Sequence, residues 1–266
     1  MGADRARAVA GPAEPSRRGR RAPPHRRGDG RLPAGRDPRR ARQPPDGLTT
    51  LDTTWAAAAT AVVLIAVPPA WSVTRHVVTL VHEAGHAAVA VLTGRRLNGI
   101  RLHTDTSGLT VSSGKPRGLG MIATAAAGYL APAALGLASV GLVESGRTAW
   151  ALYAGLVTLA LMLVFIRNWF GLVVVALSAA AVSLLVWRAP ERVQDFAALT
   201  FAWFLLVAAP RTAIELWPHR RRVRTRTSDA DVLARLTVLP APIWNILFIL
   251  LTGAALAAAV WLVGPP

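Results

Sequence analysis

Two histidines and a glutamate stand within five residues of one another, as His82-Glu83-Ala84-Gly85-His86. They lie in an apolar stretch from about Trp71 to Thr93, which predicts a helix. Positions four apart on an α-helix are separated by about 40° around the axis, so both imidazoles leave one face a turn apart and can grip one metal ion. Glu83 lies within about 100° of both and can reach a water on that ion. This is the H-E-x-x-H arrangement, in which zinc activates a water and the glutamate serves as general base. The competing reading is a polar cluster that hydrogen-bonds between helices. An ionised side chain at the centre of a bilayer costs about 2.5–3.5 kcal/mol, so three ionisable groups on one membrane helix turn call for a use.

A catalytic zinc needs a third protein ligand and one position open to water. The chain has no cysteine, so that ligand is His, Asp or Glu. His86 is about 10 Å of helix from the end of its stretch at Thr93, so the ligand must come from the same half of the membrane. Asp229 is the first choice, with Asp231 and Glu215 as alternatives. Asp195 falls on the opposite side in the topology below. Ser228-Asp229 could equally be a helix cap. His103 and Asp105 are further candidates, although an exposed loop histidine is more often simply solvated. Asn168, at the inner end of a span, could hold a substrate backbone or cap the helix that follows it. With such a site, Glu83 takes a proton from water as it attacks an amide carbonyl and delivers it to the leaving nitrogen. That chemistry needs a wet cavity at membrane depth.

The elements that must position these groups are membrane helices. The chain has 266 residues, 53% of them hydrophobic, and apolar runs of spanning length follow one another. The expected fold is an all-α polytopic membrane protein of about seven transmembrane helices, with a small β-hairpin-like loop after the helix carrying H-E-x-x-H. The spans are read at 55–71, 72–93, 119–143, 148–166, 169–187, 193–217 and 243–263. Pro68-Pro69 ends the first. Trp55 and Trp71 fit an aromatic belt. Asn98–His103 and Gly108–Ser112 flank a turn and read as the hairpin, on whose edge an extended peptide could add. Ala127 to Pro132 should kink or thin the third span. Residues 227–240 form a short amphipathic piece.

The net charge of +16 is not a nucleic-acid signature here. Residues 1–47 carry 13 Arg against five acidic residues, half of the excess, and most of the rest lies in short loops beside apolar runs. Loops of that kind set topology. Residues 1–47 hold too little apolar surface to fold and have no signal-peptide core, so they read as a disordered Arg/Pro-rich tail or a misassigned start. Residues 48–266 then form the transmembrane metallopeptidase domain. The basic loops predict a cytoplasmic N-terminus and a C-terminus outside. The partners expected are the lipid bilayer and a membrane protein or peptide substrate.

These residues resemble the site-2 protease family of intramembrane zinc metallopeptidases, in particular its compact bacterial branch. The likeness rests on His82-Glu83-Ala84-Gly85-His86 within a span, the hairpin-like segment after it, and the small-residue and proline stretch Ala127–Pro132. It covers residues 72–143 in detail and 144–266 by architecture. It implies zinc held by His82 and His86, Glu83 as catalytic acid/base, and substrates embedded in or tethered to a bacterial cell membrane. The family's Leu-Asp-Gly motif for the third ligand is replaced by Ser228-Asp229-Ala230. Two other readings compete. One is a membrane protease resembling the CAAX type, with Glu215 as third ligand. The other is a catalytically inactive metal-binding scaffold, against which the retained Glu83 argues.

Overall fold

The computed structural model describes residues 50–222 and 227–264, with side chains given for 53–218 and 227–264. The expectation for residues 1–47 lies outside that range. The described chain is mostly helical with one two-stranded antiparallel hairpin, as the sequence predicts.

Helices α1 (Thr50–Ala66) and α2 (Pro68–Leu92) meet at a bend of 104°. Pro68 and Pro69 have no N–H, so the carbonyls of Leu64 and Ile65 lose their donors four residues on, and α1 stops. The same prolines open α2, where a missing N–H costs nothing. The guanidinium of Arg211, on α6 (Glu191–Arg222), donates to the Ile65 carbonyl. It also lies 4.4 Å from the Trp71 ring centroid and 2.8 Å from Glu215. The elbow is thereby bolted to α6.

This corrects the two-span reading of residues 55–93. Among the described residues, five helices are long and apolar enough to cross a membrane singly, and α1 and α2 qualify only as a bent pair, giving up to six candidate spans. Arg75, His76, His82, Glu83 and His86 make α2 too polar to qualify alone. Trp71, expected at a membrane interface, is buried beneath Arg211.

The α1 end is tied down by its own contacts. The Thr54 hydroxyl donates to Glu144, 2.9 Å away, at the last turn of α3 (Leu119–Glu144). Trp55 stacks on Trp203 while Ile65 meets Arg211, so α1 runs parallel to α6. Ala259, near the end of α8 (Ala241–Val263), packs in the same cluster as Ala57 and Val140. The described chain therefore enters and leaves the bundle at the end remote from the hairpin. The two-span reading had put its N-terminal side and the hairpin on one face.

Helices α4 (Thr148–Phe165) and α5 (Trp169–Arg188) pair with each other at the periphery. Trp150, Trp187 and Trp261 are exposed at the remote end and Trp169 at the hairpin end, the positions of interfacial belts. The short helix α7 (Asp229–Leu236) buries Ala230 and Leu233 against Ala125, Leu216 and Phe248.

The hairpin joins β1 (Arg96–Leu102) to β2 (Gly108–Ser113), with Arg101 opposite Leu109. Its turn is closed by Asp105, whose carboxylate accepts from the Ser107 N–H at 3.0 Å and the Ser107 hydroxyl at 2.6 Å. Asn168 is spent on this hairpin. Its side-chain amide donates to the Leu102 carbonyl at 2.6 Å, and its oxygen accepts the Leu102 N–H at 3.1 Å. Together with the Arg167 N–H on the Ile100 carbonyl at 2.8 Å, it acts as a short extra strand. The side chain expected to hold a substrate backbone holds the chain's own.

Candidate metal centre

α2 stays helical throughout its H-E-x-x-H segment, so His82 and His86 leave one face as the spacing predicts. Their Nε2 atoms lie 3.0 Å apart. Small residues allow α3 to cross close behind them. A methyl group at Gly85 would stand 2.3 Å from the Ala131 side chain. One at Gly128 would stand 2.4 Å from His86 Nε2 and 2.5 Å from His82 Nε2. The bare backbone of α3 is thus the floor of the site. Through the stretch expected to kink or thin its span, α3 remains a single helix with Pro132 inside it.

α7 supplies the third group. Ser228 is its N-cap, and a capping box with Asp231 fixes the first turn: Asp231 accepts from the Ser228 N–H at 3.3 Å and the Ser228 hydroxyl at 2.5 Å. Asp229 is thereby left free to turn its carboxylate inward. Its Oδ2 lies 3.1 Å from His82 Nε2 and 3.3 Å from His86 Nε2. Burial alone would raise the Asp229 carboxyl, but the imidazoles of His86 and His82 outweigh it and hold the group below the usual carboxylate range.

These three atoms can hold a metal ion. Zinc bonded at about 2.0–2.1 Å in a tetrahedron separates its ligand atoms by about 3.3–3.4 Å. The observed separations of 3.0, 3.1 and 3.3 Å lie at or a few tenths of an ångström below that spacing, and two imidazoles with one carboxylate are a zinc donor set. His86 is also fixed from behind, because its Nδ1 is 2.7 Å from the Thr124 carbonyl. A proton on Nδ1 makes that bond and leaves the Nε2 lone pair pointing into the site.

Glu83 is buried, and β2 closes on it. The Thr110 hydroxyl is 2.6 Å from Glu83 Oε2 and 3.2 Å from its backbone carbonyl. A methyl group at Gly108 would stand 2.3 Å from Glu83 Oε1, so a side chain there would displace the carboxylate or the strand. The groups converge on a cleft of about 620 Å³ whose walls include Thr79, Ser107, Thr110, Ser112 and Thr212. Such hydroxyl-rich walls hold water within an apolar helix bundle.

The other sequence candidates are engaged by other partners. Asp231 is the capping residue of α7. Glu215 is engaged by Arg211 and, at 3.4 Å, by Arg75. His103 and Asp105 both bond Ser107 in the hairpin turn. Thr110, Gly108, Thr124 and Tyr129 escaped the sequence reading. Ala127 to Pro132 had pointed near Tyr129, but nothing local marked Thr110 as facing Glu83.

The Peptidase M50B-like family model matches residues 55–259. No curated protein and no solved structure matches the chain.

Proposed function

The chain belongs to the Peptidase M50B-like family of site-2-protease-like metallopeptidases, and from that premise we propose that it is an active intramembrane zinc endopeptidase. The observation that carries this reading is the convergence of His82, His86 and Asp229 beside a buried Glu83, all opening on one polar cleft.

In this reading His82, His86 and Asp229 hold zinc, the metal on which M50 peptidases depend. When bound, zinc supplies Lewis acidity that polarises a carbonyl oxygen and lowers the pKa of water to about 7. Glu83 accepts a proton from the attacking water and returns it to the amide nitrogen as the C–N bond breaks. Thr110 steers the Glu83 carboxylate, and Thr124 fixes the His86 ring. The substrate is a membrane-embedded or membrane-tethered protein, extended as it reaches the cleft. The β2 edge away from β1 pairs with no strand among the described residues and offers backbone groups to such a segment.

The CAAX-type alternative loses support because Glu215, its expected ligand, is paired with two arginines. The inactive-scaffold alternative gives no use to a buried carboxylate bonded by Thr110. Arg95, Arg96, Arg101, Lys115, Arg117 and Arg167 gather at the hairpin end, against Arg147, Arg188 and Arg192 at the other. That imbalance favours a cytoplasmic hairpin and a C-terminus outside. A C-terminal reporter active only in the cytoplasm would reverse this orientation.

The test of function is Glu83→Gln in detergent-purified protein. About one zinc per chain should remain while proteolysis of a membrane-tethered substrate disappears. Undiminished proteolysis in this variant would sink the reading.

A further inference from the structure

Tyr129 stands one residue beyond Gly128, on the stretch of α3 that runs beneath both metal-site imidazoles. Its ring is held on two sides. It meets the His82 ring edge-on with centroids 4.9 Å apart, and it stacks on the buried Phe248 at 4.8 Å. These contacts fix the direction of its C–O bond. The side chain lines the cleft together with Asp229, Arg75, Glu215 and Glu83. Those four residues come from three helices.

A phenol buried in a protein normally finds a hydrogen-bond partner. The Tyr129 hydroxyl makes no hydrogen bond among the described residues, and it is not sealed from solvent as the indole nitrogens of Trp55 and Trp203 are. Its donor is thus fixed in direction, unspent, and open to whatever occupies the cleft. Packing explains the ring and leaves the hydroxyl unexplained, since phenylalanine would stack on Phe248 equally well.

We propose that Tyr129 is a catalytic residue whose hydroxyl donates a hydrogen bond to the scissile carbonyl oxygen. This rests on the peptidase reading above. As water adds, a C–O bond forms, and the carbonyl π electrons move onto the carbonyl oxygen, which becomes anionic. The Tyr129 O–H strengthens its hydrogen bond to that oxygen and keeps its proton. The proton of the water goes to Glu83 and then to the departing nitrogen. A donor preorganised for a developing oxyanion contributes about 10²–10³ in kcat.

The test compares wild type, Glu83→Gln, Tyr129→Phe and a control, Tyr153→Phe. Tyr153 is the other tyrosine, half exposed on α4. Zinc content, melting temperature, kcat and KM are measured on the full chain, with binding of a phosphinic peptide and of an uncleavable neutral peptide by calorimetry. The expected result for Tyr129→Phe is unchanged zinc and melting, KM within about twofold, and kcat lower by about 10²–10³. Phosphinate affinity should fall by a similar factor while the neutral peptide binds as before. Wild-type kcat in Tyr129→Phe overturns the proposal. So does loss of zinc or a rise in KM alone, which would make the residue structural or ground-state binding. A wild type without Glu83-dependent turnover overturns the peptidase reading itself, and this inference with it.

Discussion

The hydroxyl of Thr110 on β2 lies 2.6 Å from the carboxylate of Glu83 on α2. On the peptidase reading, the hairpin therefore serves Glu83 directly as well as offering a docking edge. A hydrogen bond to a charged group is worth about 1.5–3 kcal/mol. Thr110→Val should lower kcat about 10- to 100-fold with zinc retained, and Thr110→Ser should restore it. Normal turnover in the valine variant would show that Glu83 needs no steering.

Gly128 is required by distance and not by backbone angle. Gly128→Ala should expel zinc, because the added methyl would occupy the ground where His82 and His86 approach α3. Gly141→Ala, on the same helix with open space around it, should bind zinc normally. Metal analysis of the two purified variants decides the matter.

Among the acidic candidates only one should control metal. Asp229→Ala should reduce zinc from about one per chain toward none. Asp231→Ala should keep zinc and lose about 1 kcal/mol of stability through the α7 cap. Glu215→Ala should keep zinc as well. Loss of zinc in Glu215→Ala alone would revive the CAAX-type reading.

Asn168→Ala should loosen the hairpin. The Leu102 amide, now bonded to the Asn168 oxygen, should exchange with solvent faster, with zinc unchanged. A higher KM with unaltered Leu102 exchange would return Asn168 to the role of substrate ligand.

Arg211→Ala should lower the melting temperature by unpinning the α1–α2 elbow, at a cost of about 1 kcal/mol for a partly exposed group. Zinc content should be unaffected. An unchanged melting temperature would mean that the Ile65 carbonyl is satisfied by water.

Much of the site was legible because it is local. His82, Glu83 and His86 share one helix turn, and helix periodicity alone puts two of them on one face. The hairpin was legible from its alternating strands and polar turn. The partners of these groups were not, because they are set by packing between distant segments. Thr110 meets Glu83 across 27 positions and Thr124 meets His86 across 38. Asn168 was legible as a group able to hold a backbone, but its pairing with Leu102 across 66 positions was not. The elbow was misread for a related reason. Two prolines announce a break, but nothing local shows that Arg211 holds Ile65 from 146 positions away.

The capped first turn of α7 has a consequence for the timing of activity. With His82 and His86 early in the chain and Asp229 late, no nascent fragment that lacks α7 carries a complete set of zinc donors. The ribosome must complete α6, and Ser228 and Asp231 must close their cap, before the third donor faces inward. On the peptidase reading, zinc loading and hydrolysis therefore wait on the folding of α7. Any agent that lifts α7 from its seat on Ala125, Leu216 and Phe248 would withdraw Asp229 from the two histidines.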